Sequence, residues 1–199
     1  MNVRLQVRPL AAIVGTAVVV TSTFLANGAE EKAAKSKTVE VGSLKLSVPE
    51  NWKQKPQVRD PRVAEFQIPG AGDDKVASDY VVFFFGKQGA GGLEANVQRW
   101  ISQVEPEGRK VRTFTGESSN GKYTLVDLTG TYKKSMGPPV LMKTTAMPEW
   151  RVINVFIETD AGPYFLKIDG PQKSVAEIED ELRASFGAKK DSEKERKAE

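Results

Sequence analysis

Residues 80–85 read Tyr-Val-Val-Phe-Phe-Phe, and residues 152–157 read Val-Ile-Asn-Val-Phe-Ile. Successive side chains of a strand point to opposite faces, so a run that is apolar at nearly every position needs cover on both. The runs are short and rich in β-branched and aromatic residues, which favours buried strands over a helix. They predict a sheet with helices on each side.

The flanking sequence supplies the other strands. Leu44, Leu46 and Val48 alternate with Lys45 and Ser47, and Ala64, Phe66 and Ile68 alternate with Val63, Glu65 and Gln67; both patterns fit half-buried strands, ending at Pro49 and Pro69. Arg112–Ser118 and Tyr123–Tyr132 flank Ser119-Asn120-Gly121, a strong short hairpin signal. Asp160-Ala161-Gly162 similarly joins 152–159 to Tyr164–Asp169. Two helices supply the cover. Leu93, Val97, Trp100, Ile101 and Val104 form one helical stripe that stops before Pro106. The second has Val175, Ile178, Leu182 and Phe186 as its stripe, Ser174 and Glu177 as a capping box, and Gly187 at the position after its end. The expected fold class is α+β: a single, largely antiparallel sheet of about 6–7 strands with helices on both faces, an α/β/α sandwich.

The local wording of these segments resembles the PsbP-like fold family, which includes a photosystem extrinsic protein and a Ran-binding nuclear import factor. Its closest likeness is to exported bacterial members. The carrying segments are Leu44-Lys-Leu-Ser-Val-Pro-Glu-Asn-Trp52, Arg62-Val-Ala-Glu-Phe-Gln-Ile68, Gly89-Ala-Gly-Gly-Leu-Glu-Ala-Asn-Val-Gln-Arg-Trp100, Asp127-Leu-Thr-Gly-Thr-Tyr132 and Gly162-Pro-Tyr-Phe-Leu-Lys-Ile-Asp-Gly-Pro171, with the final helix. They cover nearly the whole domain. The resemblance implies a non-enzymatic binding or assembly protein, hence a protein partner in the cell envelope. The photosystem protein's manganese and calcium role does not carry over, because the positions it depends on find no match here.

The amino terminus reads as an export signal. Arg4 and Arg8 precede an apolar run from Leu10 to Ala26, and small residues follow at Ala26, Gly28 and Ala29. An uncleaved anchor is the rival reading, at the short end of what spans a bilayer. The expected organisation is a signal peptide (1–28), a flexible lead-in (29–38), one globular domain (39–187) and a disordered charged tail (188–199), which has no large apolar side chain. The expected location is the periplasm or outside the cell, with no membrane span once the signal is removed. The net charge is +3. Loss of 1–28 takes away two bases and no acid, leaving a nearly neutral chain with no electrostatic case for nucleic acid.

The chain has no histidine and no cysteine. That removes the commonest general base, the commonest metal ligands and all thiol chemistry, and leaves a fold without disulfides. Ser119-Asn-Gly-Lys122 matches S-x-x-K as a string but coincides with the hairpin turn. Asp73, Asp74 and Asp79 lack the spacing of a calcium loop. No catalytic residue, metal ligand or cofactor is therefore assigned. The weaker candidates are binding features. Gly86–Gly92, with Gly89, Gly91 and Gly92, opens the first helix and offers backbone N–H groups to an anion, with Arg99 nearby. Trp52 either caps the sheet edge or faces a partner. The basic segment Lys133, Lys134, Met136, Pro138 and Pro139 reads as a long loop and the best partner surface. The expected function is an exported non-enzymatic adaptor. The alternatives are a carboxylate- or metal-dependent hydrolase and a small-ligand or anion binder using the glycine loop. The native protein is expected to lack residues 1–28 or 1–29, which intact mass measurement reads directly; a full-length mass would establish the anchor instead.

Overall fold

A computed structural model of the protein describes residues 35–72, 75–87, 91–137 and 143–196. The export signal, Asp73, Asp74, Gly89, Pro138 and Pro139 lie outside the described residues. The fold is α+β, a mostly-β arrangement with few helices. In chain order the elements are β1 (Ser36–Val41), β2 (Leu44–Pro49), β3 (Lys53–Gln54), β4 (Arg62–Ile68), β5 (Ser78–Phe84), α1 (Leu93–Ser102), β6 (Lys110–Ser118), β7 (Gly121–Ser135), β8 (Thr144–Ile157), β9 (Tyr164–Pro171), α2 (Gln172–Glu177), α3 (Glu179–Ser185) and β10 (Lys194–Arg196).

Eight strands form the main sheet, in the order β10-β6-β7-β8-β9-β5-β4-β3, and every neighbouring pair is antiparallel. The doubly apolar runs lie in its middle, as their pattern requires. On one face Tyr80, Val82, Ile153, Val155, Ile157, Tyr164, Leu166 and Ile168 pack under α2, α3 and the β1–β2 hairpin. On the other, Val126, Val152, Phe156 and Phe165 pack under Trp100 of α1.

The strand at 44–49 does not join the main sheet. It pairs only with β1, a strand that begins inside the expected lead-in. Leu44, Leu46 and Val48 are fully buried, whereas Lys45 and Ser47 are exposed. A strand with one apolar face can serve as a lid, and this one lies over the sheet beside α3. The hairpin turn holds that lid down. The Asn120 side chain accepts from the Lys45 backbone N–H (2.9 Å) and donates to the carbonyls of Lys45 (2.9 Å) and Phe186 (3.0 Å).

The final helix departs from the capping-box pattern. It starts at Gln172, directly after Pro171, and breaks at Ile178 into α2 and α3. Ser174 is buried one turn into α2 instead of capping it. Pro171 has φ −52° and ends the β9 pairing, so helix begins at once and the serine is carried inward. The apolar stripe survives the break: Val175, Leu182 and Phe186 are fully buried. Gly187 takes φ +72°, and its N–H donates to the Ala184 carbonyl (3.0 Å).

The described part of the charged tail, residues 188–196, is structured, contrary to the disorder its composition suggests. Lys190–Ser192 form a 3-10 turn, and β10 pairs with the outer edge of β6. Glu193 decides this. Arg183 donates to its carboxylate from Nε and Nη2 (2.9–3.1 Å), and the Tyr123 hydroxyl donates to it at 2.6 Å. Burial alone would raise this carboxyl, but Arg183 and Tyr123 outweigh it and hold Glu193 below the usual range. The tail adds little apolar area, yet it neutralises a buried arginine. Its contribution is present above the unfolded glutamate pKa, about 4.3, and is lost as the pH falls below that value. Glu193→Gln should therefore lower the urea midpoint at pH 7, and the difference from the parent should shrink by pH 3.

Candidate functional site

Beneath α1 the sheet carries a cavity of about 560 Å³. Phe83 and Phe85 from the end of β5, Trp100 from α1 and Phe165 from β9 form its aromatic walls. The rings interlock: Phe83 stacks on Phe85 at 6.2 Å, and Phe165 meets Phe85, Phe156 and Trp100 edge-on at 5.6, 5.2 and 6.3 Å. These contacts follow from the strand registers, since Phe83 pairs with Phe165 and Phe156 with Phe165. Phe85 lies just past the last β5 residue and is 37% exposed. It therefore forms the mouth.

The polar groups at the cavity are few and distinct. Asn154 stands in β8 between Val152 and Phe156 on the α1 face, opposite Lys167 of β9. The residue is 2% exposed, and its Nδ2 donor has no partner. Gln103 caps the end of α1, and its buried Oε1 acceptor also has none. Its backbone is fixed, because the Lys133 N–H donates to the Gln103 carbonyl at 2.8 Å. Three buried side-chain polar atoms among the described residues lack a hydrogen bond, and two of them line this one cavity.

Lys167 donates to the Tyr132 hydroxyl (2.5 Å) and pairs with Asp169 (3.4 Å). Asp169 is the hub of a buried ionic chain. It also accepts from Lys134 Nζ (2.8 Å) and Trp150 Nε1 (3.2 Å), and Lys134 continues to Asp79 (2.9 Å). Burial pushes the Asp169 carboxyl up, but Lys167 and Lys134 overcome this and keep it below the usual range. Burial would likewise lower both lysines, and their carboxylates raise them instead. On the opposite face a second network joins Arg112, Asp127, Arg151, Glu179, Arg183 and Glu193. Cations and acids are matched there, and among the described residues no buried side-chain atom without a hydrogen bond lines the hollow beside it.

Most of the sequence-derived candidates fall elsewhere. Trp52 is 1% exposed and meets Tyr80 edge-on at 5.4 Å, so it belongs to the core and not to a partner surface. Its polar neighbours are solvated, while the indole turns in beneath the β1–β2 lid. Lys133 and Lys134 are not loop residues. They extend β7, whose pairing with β8 runs to Ser135 and Thr144, and Lys134 is held by two carboxylates. Met136, 51% exposed, alone keeps the character of a docking residue there. Gly91 has φ +72° and Gly92 is the helix N-cap. Their carbonyls are engaged by Asn96 Nδ2, at 3.4 and 2.9 Å. Asp79 stands in β5 as a partner of Lys134. Of the candidates among the described residues, Arg99 alone lines the cavity. Its guanidinium donates to Asn96 Oδ1 (2.5 Å) and has no carboxylate partner among the described residues.

No family model and no curated protein matches the chain. Among solved structures, the protein of unknown function PA94 from Pseudomonas aeruginosa is similar at 14% identity and a TM-score of 0.40, over 75% of this chain and 92% of that one.

Asparagine at 154 was the readable signal for the site, a lone amide inside a doubly apolar strand. Gln103 carried none, since a polar residue at a helix end is ordinary. The Asp169 chain has a direct consequence. Asp169→Asn takes from Lys167 its carboxylate partner, leaves Lys134 with Asp79 alone, and should cost about 2–3 kcal/mol at pH 7. The parent's depressed carboxyl stabilises it above the unfolded aspartate pKa, about 3.9, and this is lost as the pH falls further. Urea unfolding at pH 7 and pH 3 should show the gap between the two proteins narrowing in acid.

Proposed function

We propose that this chain is an exported, non-enzymatic binding protein of PsbP-like type, and that it seats a small apolar ligand in the cavity beneath α1. The observation that carries the reading is the pairing of an aromatic-walled cavity with two buried hydrogen-bonding atoms that no protein group satisfies. An unpaired buried donor costs about 1–3 kcal/mol. An apolar side chain at 154 would avoid that cost, so the amide is better explained by a partner from outside the fold. A mostly apolar pocket of this size with a few placed polar groups is the usual form of a small-molecule site.

Charge chemistry supports binding over catalysis. The carboxylates with shifted pKa values, Glu65, Asp169 and Glu193, are all held below their usual range by adjacent cations. A general acid at neutral pH needs the opposite shift. No carboxylate lines the cavity among the described residues. The layout of a two-face-covered antiparallel sheet is compatible with the PsbP-like resemblance, whose members mostly bind and assemble. Export rests on the amino-terminal pattern alone.

The site makes a demand that a purely structural asparagine would not. Asn154→Leu removes the unpaired amide and should raise stability by about 1 kcal/mol, while weakening the binding of small aromatic fragments. Urea unfolding gives the first number and ligand-observed NMR with a fragment set the second. A variant that is less stable and binds fragments as the parent does would sink the reading.

A further inference from the structure

We infer that the ligand seated beneath α1 is a small aromatic carboxylate that also bears a hydroxyl group, a hydroxyaromatic acid. This rests on the binding reading above and assigns the chemical class of what is bound. The walls define the body of the ligand. Four aromatic side chains, Phe83, Phe85, Trp100 and Phe165, surround the space, and such rings prefer a planar π-system in offset or edge-on contact.

Charge defines the head group. Among the described residues no acid lines the cavity, so a ligand ammonium would find no counter-charge there and would lie beside the cations Arg99 and Lys167. Lys167 is already matched by Asp169, and Lys134 by Asp79 and Asp169, so the buried chain carries no spare charge. Arg99 is different: it lines the cavity, and among the described residues its guanidinium bonds only the neutral side chain of Asn96. The cavity is thus one positive charge in excess, which suits a monoanion. The donors match that anion. Asn154 Nδ2 is free to donate, Lys167 has three N–H groups for its two described acceptors, Tyr132 and Asp169, and Arg99 offers its fork. A carboxylate accepts from all of these and donates to none.

A carboxylate alone leaves Gln103 Oε1 unsatisfied. That atom can only accept, so the ligand has to bring a donor, and a hydroxyl on the ring is the simplest group that does so without adding charge. Arg99 and Gln103 are four residues apart and lie on one side of α1. The anion and the hydroxyl therefore address the same helix from different points of one ring, with Asn154 below.

The test is a titration of the full chain, by calorimetry and by Trp fluorescence, with 3- and 4-hydroxybenzoate, benzoate, 4-hydroxybenzamide and 4-hydroxybenzylamine at 50 mM and 500 mM NaCl. The better hydroxybenzoate should bind about tenfold more tightly than the amide, and the amine should bind weakest. The carboxylate preference should shrink at high salt, because Arg99 is exposed. Arg99→Gln leaves the core untouched and should erase the preference for carboxylate over amide while retaining amide binding. Gln103→Met should erase the preference for hydroxybenzoate over benzoate. If the amide and the acid bind the parent equally, and Asn154→Leu still weakens both, the cavity is a ligand seat and the assignment to acids is wrong. If none of the five compounds binds, the assignment fails. A wider fragment set that also fails to bind, or that binds the parent and Asn154→Leu equally, removes the underlying reading as well.

Discussion

The central strands β5, β8 and β9 present large apolar side chains on both faces, so the sheet is stable only while both faces are dry. With no cysteine to cross-link the chain, burial and a few desolvated ion pairs have to hold each cover in place. One face is closed by α2, α3 and a separate two-stranded hairpin, joined to the sheet by Asn120 and by the Arg183–Glu193 pairing. The other is closed by the ten residues of α1. That asymmetry matters. A single short helix cannot fill the space over the sheet, and what it leaves open is the aromatic cavity.

The two faces also treat charge differently. Under α2 and α3, arginines and acids pair completely, and even the carboxyl-terminal segment is drawn in to complete the set. Under α1, the lysines are matched by Asp169 and Asp79, whereas Arg99, Asn154 and Gln103 keep capacity in reserve. Buried hydrogen-bonding groups are nearly always satisfied in folded proteins. Two exceptions beside one aromatic-walled space therefore carry more weight than either would alone.

The sheet and its double cover were legible because strand periodicity and Asn-Gly and Gly turns act locally: the runs at 80–85 and 152–157 required layers above and below. What escaped depended on tertiary partners. The strand at 44–49 has a half-buried pattern that serves equally well in a sheet or in a lid, and only its pairing with β1 decides. The segment 188–196 has the composition of a solvated tail, yet one glutamate facing a buried arginine and a tyrosine orders it. Ser174 fits a capping box by string and is displaced by the proline that starts the helix early. At the candidate site, the glycine-loop reading shares one residue with the cavity, Arg99. It put the chemistry on backbone N–H groups, whereas the unpaired atoms are an amide in a strand and another at a helix end.

The two outermost strands of the main sheet, β3 and β10, are exposed and short, with Lys53 and Gln54 in one and Lys194, Glu195 and Arg196 in the other. A long, flat margin of free backbone amides invites a second chain to add a strand, which is how sheets polymerise. Here the described margins present mostly charged side chains, Lys53, Lys194, Glu195 and Arg196 among them. Charge on both margins makes strand addition by a second copy costly, which guards an unusually apolar set of central strands against edge-to-edge association.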